Sequence, residues 1–464
     1  MKTDRTCKNT ESGLHISVIV LIFFMTDVSY QQQQPSLDNE EGSCIDYDAA
    51  ENTITIDCNA SFLDVVQAIN EPEILEEQEE EDGGHYLLKA NLEVNDGVTF
   101  AMTSNEDGLQ YLKIADANGI IVYGKIQIDG VKITSWDTET NSPVFQTGTG
   151  SVPRAFINLR GSEGGFVHGS EIAHLGYQEI GQRGFDLFGD GPSHDLEIRG
   201  SKFHHMWFAF YSNGAYNIVV DRNEYYHNIK YALDPHTGTY NMNITNNWLH
   251  HNPIGAICSV NCSNILVEGN VIHHNTDYGI FFSRNMHGSI ARNNQIYNTT
   301  TGIMVSESPN NQIYNNTIEA ATSQGIRLQN HVVPDDGLTE DNLVNNNTII
   351  SSSEGIGATR SHDNILENNK FSNIASSEYL LSGSSGIIIS AQNFDNTLIA
   401  EDGSASDNLV EIVDSGTIEV TEVANDGGED GDEEEEEAEN NFYNTDNEPY
   451  RKRFSDGDSI IVNS

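Results

Sequence analysis

The 464-residue sequence predicts an all-β fold, a right-handed parallel β-helix, from a repeat and from the strands that accompany it. A short Asn-rich segment recurs through the middle of the chain, with its second residue at positions 223, 247, 270, 294, 316, 347 and 369. Strands that open with Gly follow these segments, as in Gly279-Ile-Phe-Phe-Ser and Gly302-Ile-Met-Val-Ser. Coils of about 22–24 residues without amphipathic helices are typical of a solenoid whose coils stack about 4.8 Å apart around a shared core. A leucine-rich repeat would need Leu at fixed spacing, and a propeller blade would need about 40 residues.

The first element, residues 1–30, has the pattern of an export segment. Lys2, Arg5 and Lys8 precede an apolar run from Ile16 to Met25, and that run is too short to cross a bilayer. We expect a signal peptide, with an uncleaved anchor as the alternative. The protein should therefore be secreted to the extracellular space or held at the cell envelope.

Four further elements follow in chain order. Residues 31–84 are predicted to form a leader or N-terminal cap, and residues 85–164 alternate apolar and polar residues in short pieces that predict strands. Residues 165–400 carry the repeats and are predicted to form the β-helix with the functional site. Residues 401–464 form an acidic tail, in which the run from Gly427 to Glu439 holds nine acidic residues. Such a composition cannot bury enough apolar surface to fold alone, so we predict a largely disordered tail.

The cysteines predict disulfides. Cys7 would leave with a signal peptide, so four cysteines remain, an even number that suits an exported chain. The simplest pairs are Cys44 with Cys58 and Cys258 with Cys262. A metal site is the weaker alternative, because the C-x3-C pair has no second Cys or His pair at zinc-finger spacing.

Two kinds of side chain recur in the predicted turns. The repeated Asn residues predict ladders of stacked side-chain amides. His204-His205, His250-His251 and His273-His274 fall in one equivalent turn, with Tyr226-His227 between them. Stacked rings are the favoured interpretation of that turn, and a ladder of metal ligands is the alternative.

The charge balance limits the partners. With 22 basic and 71 acidic residues, the formal net charge is −49, which excludes a general nucleic-acid binder because polyanion binding relies on Lys and Arg. An acidic polysaccharide would need a local basic cluster. We expect a monomer without a cofactor. Calcium is the alternative, since Asp335-Asp336 could supply oxygens, although EF-hand and RTX spacings are absent.

One coil departs from its neighbours in the segment Tyr231-Ala-Leu-Asp234-Pro235-His236. Aligned with the later coils, it places Tyr231 in the column of Gly255 and Asp234 in a column that is otherwise apolar. An acid at an apolar position should destabilise the stack by about 1–3 kcal/mol unless it is compensated. Such local inconsistency is expected at a functional site. The alternative is that Asp234 only hydrogen-bonds a turn and that His236 is a surface residue.

This segment resembles the central motif Tyr-Gly-x-Asp-Pro-His of the mannuronan (alginate) C5-epimerases, which are parallel β-helix proteins. Tyr231, Asp234, Pro235 and His236 match the motif, whereas Ala232 stands in place of its Gly. The wider tract from 85 through 375 also resembles secreted archaeal β-helix proteins that are described as epimerase-like.

The resemblance implies a reaction at C5 of a uronic-acid unit within a polymer. The C5 proton is removed, and a proton returns to the opposite face of the sugar. His236 would be the base or one of the two acid/base groups, and Tyr231 would be the partner on the opposite face. Asp234 would hold the geometry of the site.

The C5–H bond is weakly acidic until the adjacent carboxylate is neutralised, so a cation must lie nearby. In the family pattern an Arg ends the Gly-Ile-x-x-Ser-Arg strand on the coil after the histidine, where this chain has Val260. Arg284 ends the matching strand one coil further, about 9.6 Å from the histidine along the stack, and Lys230 is the fallback. Two further arginines could extend a basic strip for an anionic polysaccharide: Arg327 and Arg360.

Three functions follow from these residues. An epimerase and a polysaccharide lyase share the same C5 proton abstraction, and the lyase then loses the 4-O substituent. A non-catalytic carbohydrate-binding or cell-surface β-helix is the third, and it predicts that substitution of His236 leaves function intact.

Overall fold

The computed structural model describes residues 43–463 with ten gaps, at 82, 116, 146–149, 332–336, 393–397, 402–408, 414–417, 424–440, 443–449 and 454–458. Three sequence predictions fall outside the described residues. These are the signal peptide or anchor at 1–30, the Asp335-Asp336 loop and the acidic run of the tail.

The chain forms a right-handed solenoid of about 12 turns, and almost every coil contributes one strand to each of three sheets. The predicted all-β parallel β-helix is therefore confirmed. The first sheet has 18 strands: Ile45–Asp48, Thr53–Ile56, Asn91–Val94, Gly119–Val122, Phe156–Leu159, Gly184–Leu187, Phe208–Asn213, Tyr231–His236, Ile254–Ser259, Tyr278–Ser283, Thr301–Ser306, Gln324–Gln329, Glu354–Thr359, Tyr379–Ser382, Leu398–Glu401, Ile418–Val423, Asn441–Phe442 and Ser459–Asn463.

The second sheet has 15 strands: Ala60–Ser61, Thr99–Thr103, Lys125–Asp129, Gly164–His168, Leu196–Arg199, Tyr216–Asp221, Tyr240–Thr245, Ser263–Glu268, Ile290–Arg292, Gln312–Tyr314, Leu343–Asn345, Ile365–Glu367, Ile388–Gln392, Leu409–Val413 and Tyr450–Arg453. The third sheet has 14 strands: Leu75–Gln78, His85–Leu88, Tyr111–Ala115, Lys132–Asp137, Ser142–Pro143, Glu171–Ala173, Lys202–His204, Glu224–Tyr226, Trp248–His250, Val271–His273, Gln295–Tyr297, Thr317–Glu319, Thr348–Ile350 and Lys370–Ser372.

One short helix, Phe62–Ile69, lies near the start of the described chain. The Ser61 side chain accepts a hydrogen bond from the Asp64 backbone, and the Asp64 carboxylate accepts one from the Ser61 backbone, which forms a capping box. The helix buries Phe62, Val65 and Ile69 against the first coils. This helix lies inside the 31–84 region that the sequence predicts as a cap.

The same three sheets extend upstream of residue 165. Asn91–Val94 pairs in parallel with Gly119–Val122, which pairs with Phe156–Leu159 of the next coil. The coils of the 85–164 region therefore share one stack with the later repeats. In the tail, five strands follow residue 408, and the remaining positions of 401–464 lie almost entirely outside the described residues. The disorder expected for the tail stays a prediction.

Amide ladders run through the turns as the sequence predicts. The side-chain NH2 of Asn223 donates to the side-chain oxygen of Asn247, and the NH2 of Asn247 donates in turn to the oxygen of Asn270. The same hydrogen bond recurs through Asn294, Asn316, Asn347 and Asn369. Each oxygen also accepts from the backbone N–H of the preceding coil, for example from Asn223 to Asn247 at 2.9 Å. These buried side chains satisfy the backbone groups that a tight turn leaves unpaired.

The two predicted disulfides are both present, Cys44–Cys58 and Cys258–Cys262. The second one spans the turn that follows the strand Ile254–Ser259, and the Cys262 side chain is fully buried. Within the described ranges, no helix has both the length and the apolar character that a membrane span requires.

Candidate active site

An open cleft of about 510 Å³ lies on the first sheet, over the strands Gly184–Leu187, Phe208–Asn213, Tyr231–His236 and Ile254–Ser259. Its wall is rich in aromatic and cationic side chains: Gln178, Ile180, Arg183, Trp207, Phe208, Tyr211, Lys230, Tyr231, Asp234, His236, Ser259 and Arg284. The structure thus brings five of the residues singled out from the sequence into one cleft.

The register of the site coil differs by one residue from the alignment made on the sequence. Tyr231 pairs with Ile254 and not with Gly255, so Ala232 occupies the column of the turn glycines. A Cβ built on Gly255 would lie 2.7 Å from the Gly279 carbonyl oxygen, which explains why that column admits only small residues. The expectation that Tyr231 lies in the column of Gly255 was wrong, because the interval from Tyr231 to its partner in the next coil is one residue shorter than assumed.

The same shift moves Asp234 out of the interior column of Cys258. Asp234 pairs with Tyr211 of the preceding coil and follows Leu233, whose partner is Ala256. A slip of one residue exchanges the two faces of a strand. Asp234 therefore lies on the cleft side of its strand, where the side chain is 3% exposed.

His236 lies at the end of its strand and pairs with Ser259 of the next coil. Its Nε2 lies 3.4 Å from Ser259 Oγ, and its Nδ1 lies 2.5 Å from Thr237 Oγ1. Burial, reinforced by the charges of Arg284 and Arg183, lowers the pKa of His236 to about 4. The imidazole is therefore neutral at neutral pH and can accept a proton.

Arg284 reaches the site although its strand lies two coils after the strand of His236. Its guanidinium donates a hydrogen bond to Ser259 Oγ, the same oxygen that faces the His236 ring. The side chain of Arg284 thus covers the distance along the stack that the sequence left open, and Ser259 links the cation to the histidine.

A second cation, which was not predicted from the sequence, enters the cleft from the opposite direction. Arg183 immediately precedes the strand Gly184–Leu187, two coils before the histidine. Its guanidinium carbon lies 4.4 Å from the centroid of the Tyr211 ring and 5.5 Å from that of Phe208. Stacking on aromatic faces is a favourable arrangement for a guanidinium group. The cleft therefore has an arginine on each side of the site coil.

Two buried carboxyl groups share one column of the first sheet. Asp186 pairs with Tyr211, and Tyr211 pairs with Asp234. Burial raises the pKa of Asp234 to about 8 and that of Asp186 to about 7, against the opposing effect of Arg183. One oxygen of each carboxyl group has no hydrogen-bond partner within the described residues. Extending the repeat register upstream of Tyr231 reaches Tyr211, whereas Asp186 enters this column through a register shift between Gly184 and Asp186.

Tyr231 packs edge-on against Phe208 with ring centroids 4.9 Å apart. Burial raises the pKa of Tyr231, and the Asp234 carboxyl group raises it further, while Arg284 opposes the shift. The phenol is consequently protonated at neutral pH. It can donate a proton or a hydrogen bond into the cleft.

The three remaining basic residues are not equivalent. Lys230 lines the cleft, with Nζ 5.4 Å from the centroid of the Trp207 ring. Arg327 and Arg360 lie outside the cleft lining. Arg327 shares the column of Asp234, four strands away, or about 19 Å along the stack.

Arg360 shares the column of Arg284, which is one residue beyond the column of His236. The one-residue register shift of the site coil thus places Arg360 and His236 in adjacent columns. A role for Arg327 and Arg360 in substrate binding stays a prediction.

The histidine-rich turn consists of stacked rings, as the sequence predicts. One ladder runs through His204, Tyr226, His250, His273 and Tyr297, with centroids 4.7–5.4 Å apart. A second ladder runs beside it through the neighbouring turn residues His174, His205, His227, His251 and His274.

Known proteins resemble parts of this chain. A family model described as periplasmic copper-binding protein (NosD) matches residues 208–379, and one described as a right handed beta helix region matches residues 118–284. The mannuronan C5-epimerase of Pseudomonas syringae pv. tomato is 27% identical over 237 residues, 48% of this chain and 44% of that protein. The one from Pseudomonas putida is 26% identical over 241 residues, 48% of this chain and 46% of that protein. The chain thus matches less than half the length of these curated relatives.

Solved structures share the fold. The periplasmic alginate epimerase AlgG superposes with a TM-score of 0.57 at 19% identity, over 78% of this chain and 84% of that one. The A-module of the Azotobacter vinelandii mannuronan C-5 epimerase AlgE4 gives a TM-score of 0.50 at 17% identity, over 64% and 86% of the two chains. The resemblance predicted from the site segment is confirmed: the chain is a right-handed parallel β-helix protein related to the mannuronan C5-epimerases.

Proposed function

We propose that the protein is a C5-epimerase that acts on a uronic-acid polysaccharide of the mannuronan type. The observation that carries this proposal is the convergence of an imidazole, a phenol and two guanidinium groups on one open cleft: His236, Tyr231, Arg183 and Arg284. The reaction needs a base, an opposite-face proton donor and a cation beside the carboxylate, and these four groups can supply them.

His236 acts as the base in this proposal. Its low pKa keeps the imidazole unprotonated, so a ring nitrogen can take the C5 proton of the sugar. The bound uronate carboxylate would offset the two arginine charges and raise the pKa of the histidine, which strengthens it as a base. Ser259 holds the imidazole in place from the next coil.

Tyr231 supplies the proton to the opposite face. Its phenol is protonated because burial and the nearby Asp234 raise its pKa. The C5–H bond breaks as His236 gains the proton, and a new C5–H bond forms as the phenol loses one. Return of the proton from the imidazolium to the phenolate, through solvent, restores both groups.

Arg284 and Arg183 neutralise the substrate carboxylate as charge develops on it. Arginine suits this task because its guanidinium donates two parallel hydrogen bonds to a carboxylate. Asp234 lines the cleft, and in its protonated form it can donate a hydrogen bond to a substrate oxygen. Its unpartnered oxygen is consistent with a partner supplied by the sugar.

The test is proton NMR of polymannuronate incubated with the purified protein in deuterated buffer. An epimerase exchanges deuterium into C5 and produces guluronate signals without shortening the chain. A lyase would instead raise the absorbance near 230 nm as unsaturated ends form, which would replace this proposal with the β-elimination alternative.

The matched variants are His236→Ala in the cleft and His287→Ala, an exposed histidine outside it. We expect His236→Ala to abolish deuterium exchange and His287→Ala to retain it. Exchange that survives His236→Ala would contradict the assigned base. Retained polysaccharide binding with no exchange in the unsubstituted protein would indicate the non-catalytic alternative.

We also propose that the protein works outside the cytoplasm, secreted or at the cell envelope, as a monomer with the anionic polysaccharide as its partner. Its two disulfides support an oxidising compartment. The related AlgG structure is that of a periplasmic enzyme.

A further inference from the structure

A cluster of three histidines lies at the upstream end of the histidine ladders, apart from the residues that line the cleft. One ring nitrogen from each of His174, His204 and His205 lies within 4.8 Å of the other two. His174 and His204 are 8% and 9% exposed, so the cluster is largely shielded from water. It is the one such group of potential metal ligands within the described ranges.

Hydrogen bonds orient the rings of the cluster. His204 Nε2 lies 3.3 Å from Glu171 Oε1, so the Nε2–H donates to the carboxylate and Nδ1 carries the lone pair. A carboxylate behind a histidine is the arrangement that orients metal-ligating imidazoles and raises their basicity. His205 Nδ1 lies 2.8 Å from His204 Nδ1 and donates to that lone pair, so a metal ion would have to replace this hydrogen bond. The buried His174 Nδ1 has no hydrogen-bond partner among the described residues.

We propose that His174, His204 and His205 form a binding site for a divalent transition metal of the class that imidazole ligands prefer, with Zn²⁺ as the probe. Zn²⁺ binds imidazole nitrogens at about 2.0–2.1 Å in tetrahedral sites. Tetrahedral angles then place the ligand nitrogens about 3.3 Å apart. This spacing lies between the 2.8 Å that separates Nδ1 of His204 from Nδ1 of His205 and the 4.8 Å that bounds the whole cluster. Three imidazoles leave a fourth position for water or another ligand.

Charged groups of both signs surround the cluster. The Glu171 carboxylate lies beside His204 and also pairs with Lys132 at 2.9 Å, so part of its negative charge is already balanced. Arg154 is buried and donates to the backbone carbonyls of Leu175, Gly176 and His205. Those carbonyls offset part of its charge.

The ladder offers a matched control. His174 and His251 both adopt a left-handed backbone, with φ of 60° and 56°, and both stack within the same ladder. Asn tolerates that conformation, so neither His174→Asn nor His251→Asn strains the backbone, although His174 is buried and His251 is exposed. The His250-His251 pair also has a carboxylate behind it, Glu224, at 3.3 Å, but it has no third histidine within ligand range among the described residues.

The experiment is Zn²⁺ titration of the full chain, followed by calorimetry and by metal analysis after gel filtration. We expect one tightly held Zn²⁺ per chain, lost in His174→Asn and kept in His251→Asn. Glu171→Gln should weaken binding by roughly tenfold or more, the usual effect of removing such a carboxylate. Circular dichroism of each variant separates loss of metal from loss of fold.

Co²⁺ substitution gives an independent readout, because a tetrahedral site produces strong visible absorbance that loose surface binding does not. Absence of stoichiometric Zn²⁺ in the unsubstituted protein would overturn the proposal. Equal loss in His174→Asn and His251→Asn would also overturn it, since the metal would then belong to the ladder as a whole.

Discussion

Replacement of Arg284 by Gln tests the link between the displaced cation and the base. The guanidinium of Arg284 donates a hydrogen bond to Ser259, whose hydroxyl oxygen faces the His236 ring. Arg284→Gln therefore removes a positive charge beside the base and beside the position expected for the substrate carboxylate. Removing one charged group that stabilises a transition state typically lowers kcat by about 10²–10³-fold. We expect Arg284→Gln to lower kcat by a factor near the lower end of this range, because Arg183 remains in the cleft.

The pH dependence should move as well. Burial is the largest cause of the low pKa of His236, and Arg284 is the next. Without Arg284 the pKa should rise above about 4 but stay below the ordinary value of 6.5, because burial remains. A base is lost by protonation, so activity falls as the pH drops through this pKa. The acid limb of the rate profile should therefore lie at a higher pH in Arg284→Gln than in the unsubstituted protein.

The assay is the initial rate of C5 deuterium exchange on polymannuronate across the acidic and neutral range. Arg222→Gln is the control, since Arg222 is an exposed arginine outside the cleft lining. The reasoning is refuted if Arg284→Gln retains full activity, or if its acid limb stays in place or moves to lower pH.

Two further predictions concern stability. Asp186 and Asp234 have raised pKa values of about 7 and about 8, so the folded state favours their protonated forms. Their protonation stabilises the fold fully at pH values below the ordinary pKa of Asp. This stabilisation is lost as the pH rises through the raised values. The melting temperature should fall between about pH 4 and pH 8, and Asp186→Asn with Asp234→Asn should flatten that slope; an unchanged slope would contradict the raised values. Asn270→Ala removes the hydrogen bonds that the Asn270 amide donates to Ile244 and Asn294, and it leaves two donors of Asn247 without their acceptor. Each buried group left unpaired should lower the free energy of unfolding by about 1–3 kcal/mol. Urea denaturation should show this loss, while Gln295→Ala, at an exposed position of a neighbouring strand, should change little; equal effects would argue against the ladder as a source of stability.

Much of the fold could be predicted from patterns within one coil or between neighbouring coils. The Asn positions repeat because each amide bonds to the next coil, so their spacing in the chain directly reports the length of a coil. The cysteine pairs are close in sequence, and short separations leave few alternative partners. The helix Phe62–Ile69 was not predicted, because it occurs once and lies outside the repeated segments.

The site was predicted in part. His236, Tyr231 and Asp234 stood out because they break the repeat, and all three line the cleft. Arg183 and Asp186 belong to coils with a less regular period, where the sequence register is hard to extend. The stacking of the coils places Arg183 in the cleft and Asp186 in the column of Asp234.

The sequence by itself determined the solenoid, the coil length, the disulfides and the motif, because each depends on residues within one coil or on a period that neighbouring coils share. Only the tertiary structure decided the register of Tyr231, the reach of Arg284 and the assembly of the three-histidine cluster. Register depends on which backbone groups of adjacent coils pair, and a difference of one residue turns a side chain from the core to the cleft. Reach depends on side-chain conformation, which the spacing of residues along the chain does not specify.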